Sequence, residues 1–161
     1  MRRMFSIPQL EEIAKSTIEN ADSLKIFENI VDEDGHKRFI GGDIEAMTIT
    51  GVSKTYGKWS LSGTHLLIVF VIDVADTTVL NGDIIGKLKD VPDWLYSKIE
   101  VLFGTNNVDR KSITFWSSGA TTQSVQIGLR KDSTNGLHIT IGSITFTSDR
   151  TARISFDLLI D

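Results

Sequence analysis

The chain has 161 residues, a formal charge of -4 and no cysteine. That length suits one domain, alone or with a short accessory element, and is enough to bury about two thirds of the unfolded surface. The absence of cysteine excludes a disulfide framework and thiolate chemistry, and the negative charge argues against a nucleic-acid footprint, which needs clustered positive surface.

Met1-Arg2-Arg3-Met4-Phe5 is followed at once by Gln9, Glu11 and Glu12, without the ~7–15-residue apolar stretch of a secretion signal. Neither a signal peptide nor membrane insertion is expected. Ser6 and Gln9 stand at capping-box spacing around Pro8, and Leu10, Ile13, Ala14, Ile18 and Ala21 recur at helical spacing, which predicts a helix from about Ile7 to Asn20. Its apolar stripe packs on its own domain or docks on a neighbouring subunit. Ile26 to Phe39 fits a helical face in part, but Asp34-Gly35 favours a hairpin. The acidic Asp32-Glu33-Asp34-Gly35 lacks the later ligands of a calcium loop and reads as a solvated turn. Gly41-Gly42 reads as a break, Ile44 to Ile49 as a short strand and Gly51 to Lys58 as a polar loop. Residues 1–58 are therefore expected to form an N-terminal helix with a hairpin and linker, and residues 59–161 the main body.

Thr64 to Val74 contains seven consecutive apolar residues, Leu66 to Ile72, four of them β-branched. A membrane span needs roughly 18 or more, so this run suits a central strand buried on both faces. One cover would be the second layer of a sandwich and the other a further subunit or the N-terminal segment. Leu66, Ile68 and Phe70, with Leu159 near the C-terminus, are accordingly the expected oligomer interface. From Trp59 onward, short β-branched and aromatic stretches are separated by Gly, Asn, Asp and Ser turns, clearest at Asn81-Gly82 and Asn135-Gly136. Val125, Ile127 and Leu129 alternate with polar residues, as do Leu137, Ile139 and Ile141, and then Ala152, Ile154, Phe156, Leu158 and Ile160. The expected fold is all-β, a jelly-roll-like antiparallel β-sandwich behind an N-terminal α-helix.

The ordered series Trp59-Ser60-Leu61-Ser62-Gly63, the apolar run, Asn81-Gly82, Val91-Pro92-Asp93-Trp94-Leu95, Ile99, the strands at Phe115 and Val125, Asn135-Gly136 and the closing Arg153 to Asp161 carries a resemblance. Over roughly residues 57–161 it resembles the C-terminal β-sandwich head domains of baseplate and tail receptor-binding proteins of phages and prophages that infect Gram-positive bacteria. The resemblance implies a virion protein released by lysis, a homotrimer, other baseplate and tail proteins as partners, and host cell-wall saccharide as a ligand. A receptor-binding tip and a smaller accessory baseplate protein both fit it.

No catalytic constellation stands out. Ser62 and His65 lie close together without a Gly-x-Ser-x-Gly elbow, and residues next to each other on one strand face apart. His36, His65 and His138 have no metal-ligand spacing, and Asp73 and Asp76 read as turn caps. No cofactor and no enzymatic activity are expected. Saccharide binding asks only for an aromatic plane and hydroxyl-bonding groups, for which Trp116, Asn106, Asn107, Asp109, Arg110 and Gln123 are the candidates. A stand-alone lectin-like module and, third, a small glycan-processing enzyme are the alternatives.

Overall fold

In a computed structural model of the chain, the described residues are 34–101, 106–116 and 122–160. Residues Ile40–Asp161 form one compact unit and Met1–Phe39 another. The expected helix at Ile7 to Asn20 and most of the Ile26 to Phe39 hairpin lie outside the described residues; within them, Gly35 takes a left-handed φ of 82°.

The apolar run is strand β3 (His65–Val74), with Leu66, Ile68, Phe70, Ile72 and Val74 buried. Its other face is not covered as expected: Leu67 is 43% exposed, and Val69, Val71 and Asp73 are half-buried. The flanking strands account for the partial shielding. Lys58 stands opposite Val69 and Tyr56 opposite Val71 on one side, and Ser155 and Arg153 on the other, so longer polar side chains partly cover an outward apolar row. Leu66, Ile68 and Phe70, expected at an interface, point into the interior and are wholly buried within the chain itself.

Around β3 the other strands are β1 (Phe39–Ala46), β2 (Val52–Ser62), β4 (Val79–Leu80), β5 (Ile84–Leu88), β6 (Asn107–Phe115), β7 (Gln123–Asp132), β8 (Gly136–Ile141), β9 (Ile144–Thr145) and β10 (Arg150–Leu159). Seven of them join β3 in one sheet in the order β10-β3-β2-β1-β5-β8-β7-β6, and β4 pairs with β9. The ladders β1/β5, β2/β3, β3/β10, β5/β8, β6/β7 and β7/β8 are antiparallel. The fold is all-β, and its sandwich approaches a barrel, because the sheet's two edges meet. Trp116 and Thr151 exchange backbone hydrogen bonds of 3.3 and 3.2 Å, linking the end of β6 to β10. Elsewhere along the seam the closure is by side chains, with the Lys111 ammonium 5.0 Å from the centre of the Phe156 ring.

The inward rows build a single core from Ile44, Trp59, Phe70, Phe115, Ile127, Ile139 and Phe156 among others. Near the Trp116 end, Phe146 meets Phe115 edge to face at 4.9 Å.

Two further stretches differ from expectation. Gly41-Gly42 is not a break but part of β1, and the physical reason is Trp59: a Cβ on Gly41 would stand 2.7 Å from the Trp59 carbonyl oxygen, and one on Gly42 2.6 Å from its indole nitrogen. The indole, laid across this bare backbone, donates to the Lys89 carbonyl at 2.7 Å. The polar run from Val52 to Lys58 is not a loop but the first half of β2, held by its ladder to β3 through a bulge between Lys54 and Tyr56, with most of its side chains in solvent. Residues 40–46 and 52–58 thus belong to the sheet, and 47–51 connect its first two strands. Beyond β5, Pro92 stands at the N-cap of a short helix, α1 (Asp93–Lys98), in which Leu95 is buried. Tyr96 of α1 donates its hydroxyl to the Asp132 carbonyl at 2.9 Å, and the Lys131 ammonium donates to the Ile99 carbonyl at 2.7 Å while lying over the Tyr96 ring. Burial holds the Lys131 ammonium below its usual pKa.

Candidate functional site

The ladders carry Trp116 to an exposed position. On β6 the outward residues are Arg110, Ser112 and Thr114, and Trp116 continues this row past the strand end, its side chain 65% exposed. It stands at a groove of about 770 Å³ lined also by Gly51, Val52, Ser53, Asp73, Val74, Ala75, Asp149, Arg150 and Thr151. These residues come from the start of β2, the end of β3 and the start of β10, which the registers Val52↔Val74 and Arg150↔Val74 bring side by side.

Two carboxylates in this lining are fixed on one oxygen each. Asp73 Oδ1 accepts from the Thr151 hydroxyl at 2.5 Å, and Asp149 Oδ1 accepts from the Asp76 amide at 2.8 Å. The second oxygen of each accepts no hydrogen bond among the described residues. A broad aromatic face beside two oriented carboxylates and the hydroxyls of Ser53 and Thr151 suits a polyhydroxylated ring: the face stacks on its apolar C–H side and the carboxylates accept from its hydroxyls.

The sequence matches no family model and no curated protein. Among solved structures, the chain is similar to a reovirus attachment protein, sigma1, in complex with alpha-2,3-sialyllactose. The identity is 11%, the alignment covers 76% of this chain and 67% of that chain, and the TM-score is 0.41.

The other five saccharide candidates do not gather around Trp116. Gln123, opposite Phe115 in the β6/β7 ladder, is at the same end, but its amide is used within the fold: the nitrogen donates to the Thr145 carbonyl at 2.8 Å and the oxygen accepts from the Thr147 amide at 3.3 Å. Asn106, Asn107, Asp109 and Arg110 lie at the opposite end of β6, six to ten residues from Trp116, which at ~3.3 Å per residue is about 20 Å or more. Asn106 takes a left-handed φ of 64° and accepts from the Lys131 amide at 2.9 Å, entering a bulge between Asn107 and Asp109. Asn107 is buried, Asp109 lies 3.6 Å from the Lys111 ammonium, and Arg110 is exposed. The groove residues Ser53, Asp73, Asp149 and Thr151 carry no mark of sugar contact in the sequence. The one available signal is their place at the ends of strands, where the chain leaves the sheet.

The serine and histidine near the β2/β3 turn do share a face. A two-residue hairpin at Gly63-Thr64 pairs Ser62 directly with His65, and His65 Nδ1 lies 3.2 Å from Asp157 Oδ1 across β10. The side chains of His65 and Asp157 are 64% and 65% exposed. In bulk water such a row has little of the low-dielectric stabilisation that acyl transfer requires. Among the described residues no group of three His, Asp or Glu side chains is placed to hold a metal, and no helix is long and apolar enough to cross a membrane.

The outer surface elsewhere is laced by exposed ion pairs. Lys58 meets Asp43 at 2.5 Å and Lys89 meets Glu45 at 2.8 Å, each pair lowering its carboxylate's pKa and raising its ammonium's through the hydrogen bond and the opposite charge. At the β7/β8 turn, Asp132 accepts from the amides of Thr134 and Asn135 at 2.9 and 2.6 Å, and the Asn135 amide is the main reason its carboxyl is held below the usual range.

Proposed function

We propose that this chain is a non-enzymatic, virion-associated structural protein of a phage or prophage tail baseplate, and that it binds host cell-wall saccharide in the groove beside Trp116. The carrying observation is the 65% exposure of Trp116 at a groove whose Asp73 and Asp149 carboxylates are each anchored through one oxygen. An exposed tryptophan forgoes a large hydrophobic gain, since burying such a side chain removes roughly 150–250 Å² from water. Stacking on a sugar ring recovers part of it.

Self-association, as a homotrimer by the family resemblance, and contact with other tail proteins complete the reading. The outward row Leu67, Val69 and Val71 and the 66% exposed Leu159 support it, as apolar surface that a neighbouring protein would cover. A stable assembly of this kind buries above about 2,000 Å².

The test is binding of the purified chain to Gram-positive cell-wall polysaccharide, compared between wild type and Trp116→Ala. The expected result is saccharide retained by wild type, unmodified after incubation, with affinity lowered at least about tenfold in Trp116→Ala while thermal stability changes little. Turnover of the saccharide, or equal binding by the variant, contradicts the reading.

A further inference from the structure

We propose that a second depression, on the outer face of β6, β7 and β8, binds a single oxyanion carried by an acidic saccharide. The site is distinct from the Trp116 groove, and only its ligand's being a saccharide rests on the function proposed above.

The depression is set by one cross-strand row. Arg110 of β6 stands opposite Gly128 of β7, and Gly128 opposite Thr140 of β8, so all three face outward together. Arg130, two residues along β7, joins the same face, and Asn107 approaches from the bulged start of β6. Gly128 forms the floor because it has no side chain: a Cβ there would stand 3.0 Å from the Thr140 hydroxyl oxygen and 3.2 Å from the Asn107 amide oxygen. The space that remains is about 250 Å³, enough for one small group.

Its charge sets it apart. The lining includes two arginines, and none of its described residues is acidic, on a chain whose formal charge is -4. The guanidinium of Arg110 makes no hydrogen bond or ion pair among the described residues. Its nearest neighbour in sequence, Asp109, belongs to the opposite side of the strand and lies 3.6 Å from the Lys111 ammonium. Planar guanidinium groups present paired donors that match the oxygens of a carboxylate or phosphate, and the Arg110 guanidinium has all of its donors to offer, with the Arg130 charge adding to the attraction for an anion. The Thr140 hydroxyl and the amide of the exposed Gln126 are suited to the hydroxyls around such an anion.

The experiment is calorimetric titration of the full chain with glucuronate, inorganic phosphate and glucose at low and high salt, for wild type, Arg110→Gln, Gly128→Ala and Trp116→Ala. Glucuronate or phosphate should bind wild type and weaken as salt rises, and the preferred one of the two identifies the kind of oxyanion. Affinity should fall at least about tenfold in Arg110→Gln and in Gly128→Ala, whose methyl fills the floor, and stay unchanged in Trp116→Ala. Glucose binding as tightly as the acids, or acid binding unaffected by both Arg110→Gln and Gly128→Ala, overturns the inference. Displacement of bound glucuronate by a short oligonucleotide of higher affinity overturns its saccharide part. If neither acid binds while the Trp116 variant still loses polysaccharide, this inference fails and the proposed function stands.

Discussion

Strands β3 and β6 occupy opposite positions in the sheet. β3 is flanked by full ladders on both sides, and its inward row from Leu66 to Val74 is wholly apolar. β6 has a full ladder only to β7; toward β10 it is joined by the single Trp116–Thr151 bridge, and its half-buried positions include the charged Asp109 and Lys111. Charged residues facing the inside of an edge discourage pairing with other chains, so β6 holds a seam that can be open without inviting aggregation. Both proposed binding surfaces border β6, and neither involves the inward face of β3. Stability and recognition are thus carried by different strands.

The largest effect expected from this contrast is on folding. The Phe70 ring lies against the bare backbones of Gly57 and Gly86, where added Cβ atoms would stand 3.0 and 3.2 Å from it, so the site is closely packed. Phe70→Ala should cost about 3–5 kcal/mol in denaturant unfolding, because the glycine backbones around it cannot move in to fill the cavity. Ile113→Ala, at a half-exposed position of β6, should cost only about 1 kcal/mol. Equal costs would break the distinction between hub and seam.

A smaller effect concerns β7, the one strand that holds β6 by a full ladder. Its turn into β8 is capped by Asp132, whose carboxyl is held below the usual range by the Asn135 amide. A folded-state value lowered below the unfolded one gives stability that is present above roughly pH 4 and is lost as pH falls through the usual and then the lowered value. Asp132→Asn should therefore be modestly less stable than wild type at neutral pH, with the two stabilities converging in acid. Stability curves that stay parallel from neutral pH into acid would remove this contribution.

How far the sequence discloses this arrangement depends on whether a strand has one wet face. β7, β8 and β10 alternate apolar and polar residues and are legible as half-buried strands. So is the location of β3, although its unbroken apolar run suggests two covered faces where the fold has one, because Leu67, Val69 and Val71 are shielded only in part by neighbours that no local pattern reveals. The first half of β2 is illegible for the opposite reason: from Ser53 to Tyr56 every side chain is exposed, and only pairing with β3 makes the segment a strand. Gly41-Gly42 carries the usual mark of a break, and only the indole of Trp59, distant in sequence, explains it as a strand. Of the Trp116 groove, only the tryptophan is legible as a sugar contact, since Ser53, Asp73 and Asp149 meet through registers linking segments far apart along the chain.

The most direct test of the central claim is a residue-resolved amide NMR titration of the isotope-labelled chain with soluble cell-wall oligosaccharide. The account predicts shifts concentrated at residues 51–53, 73–75 and 149–151 and at the Trp116 indole. Shifts confined to the outward faces of β1 and β5, or none at saturating oligosaccharide, would contradict it.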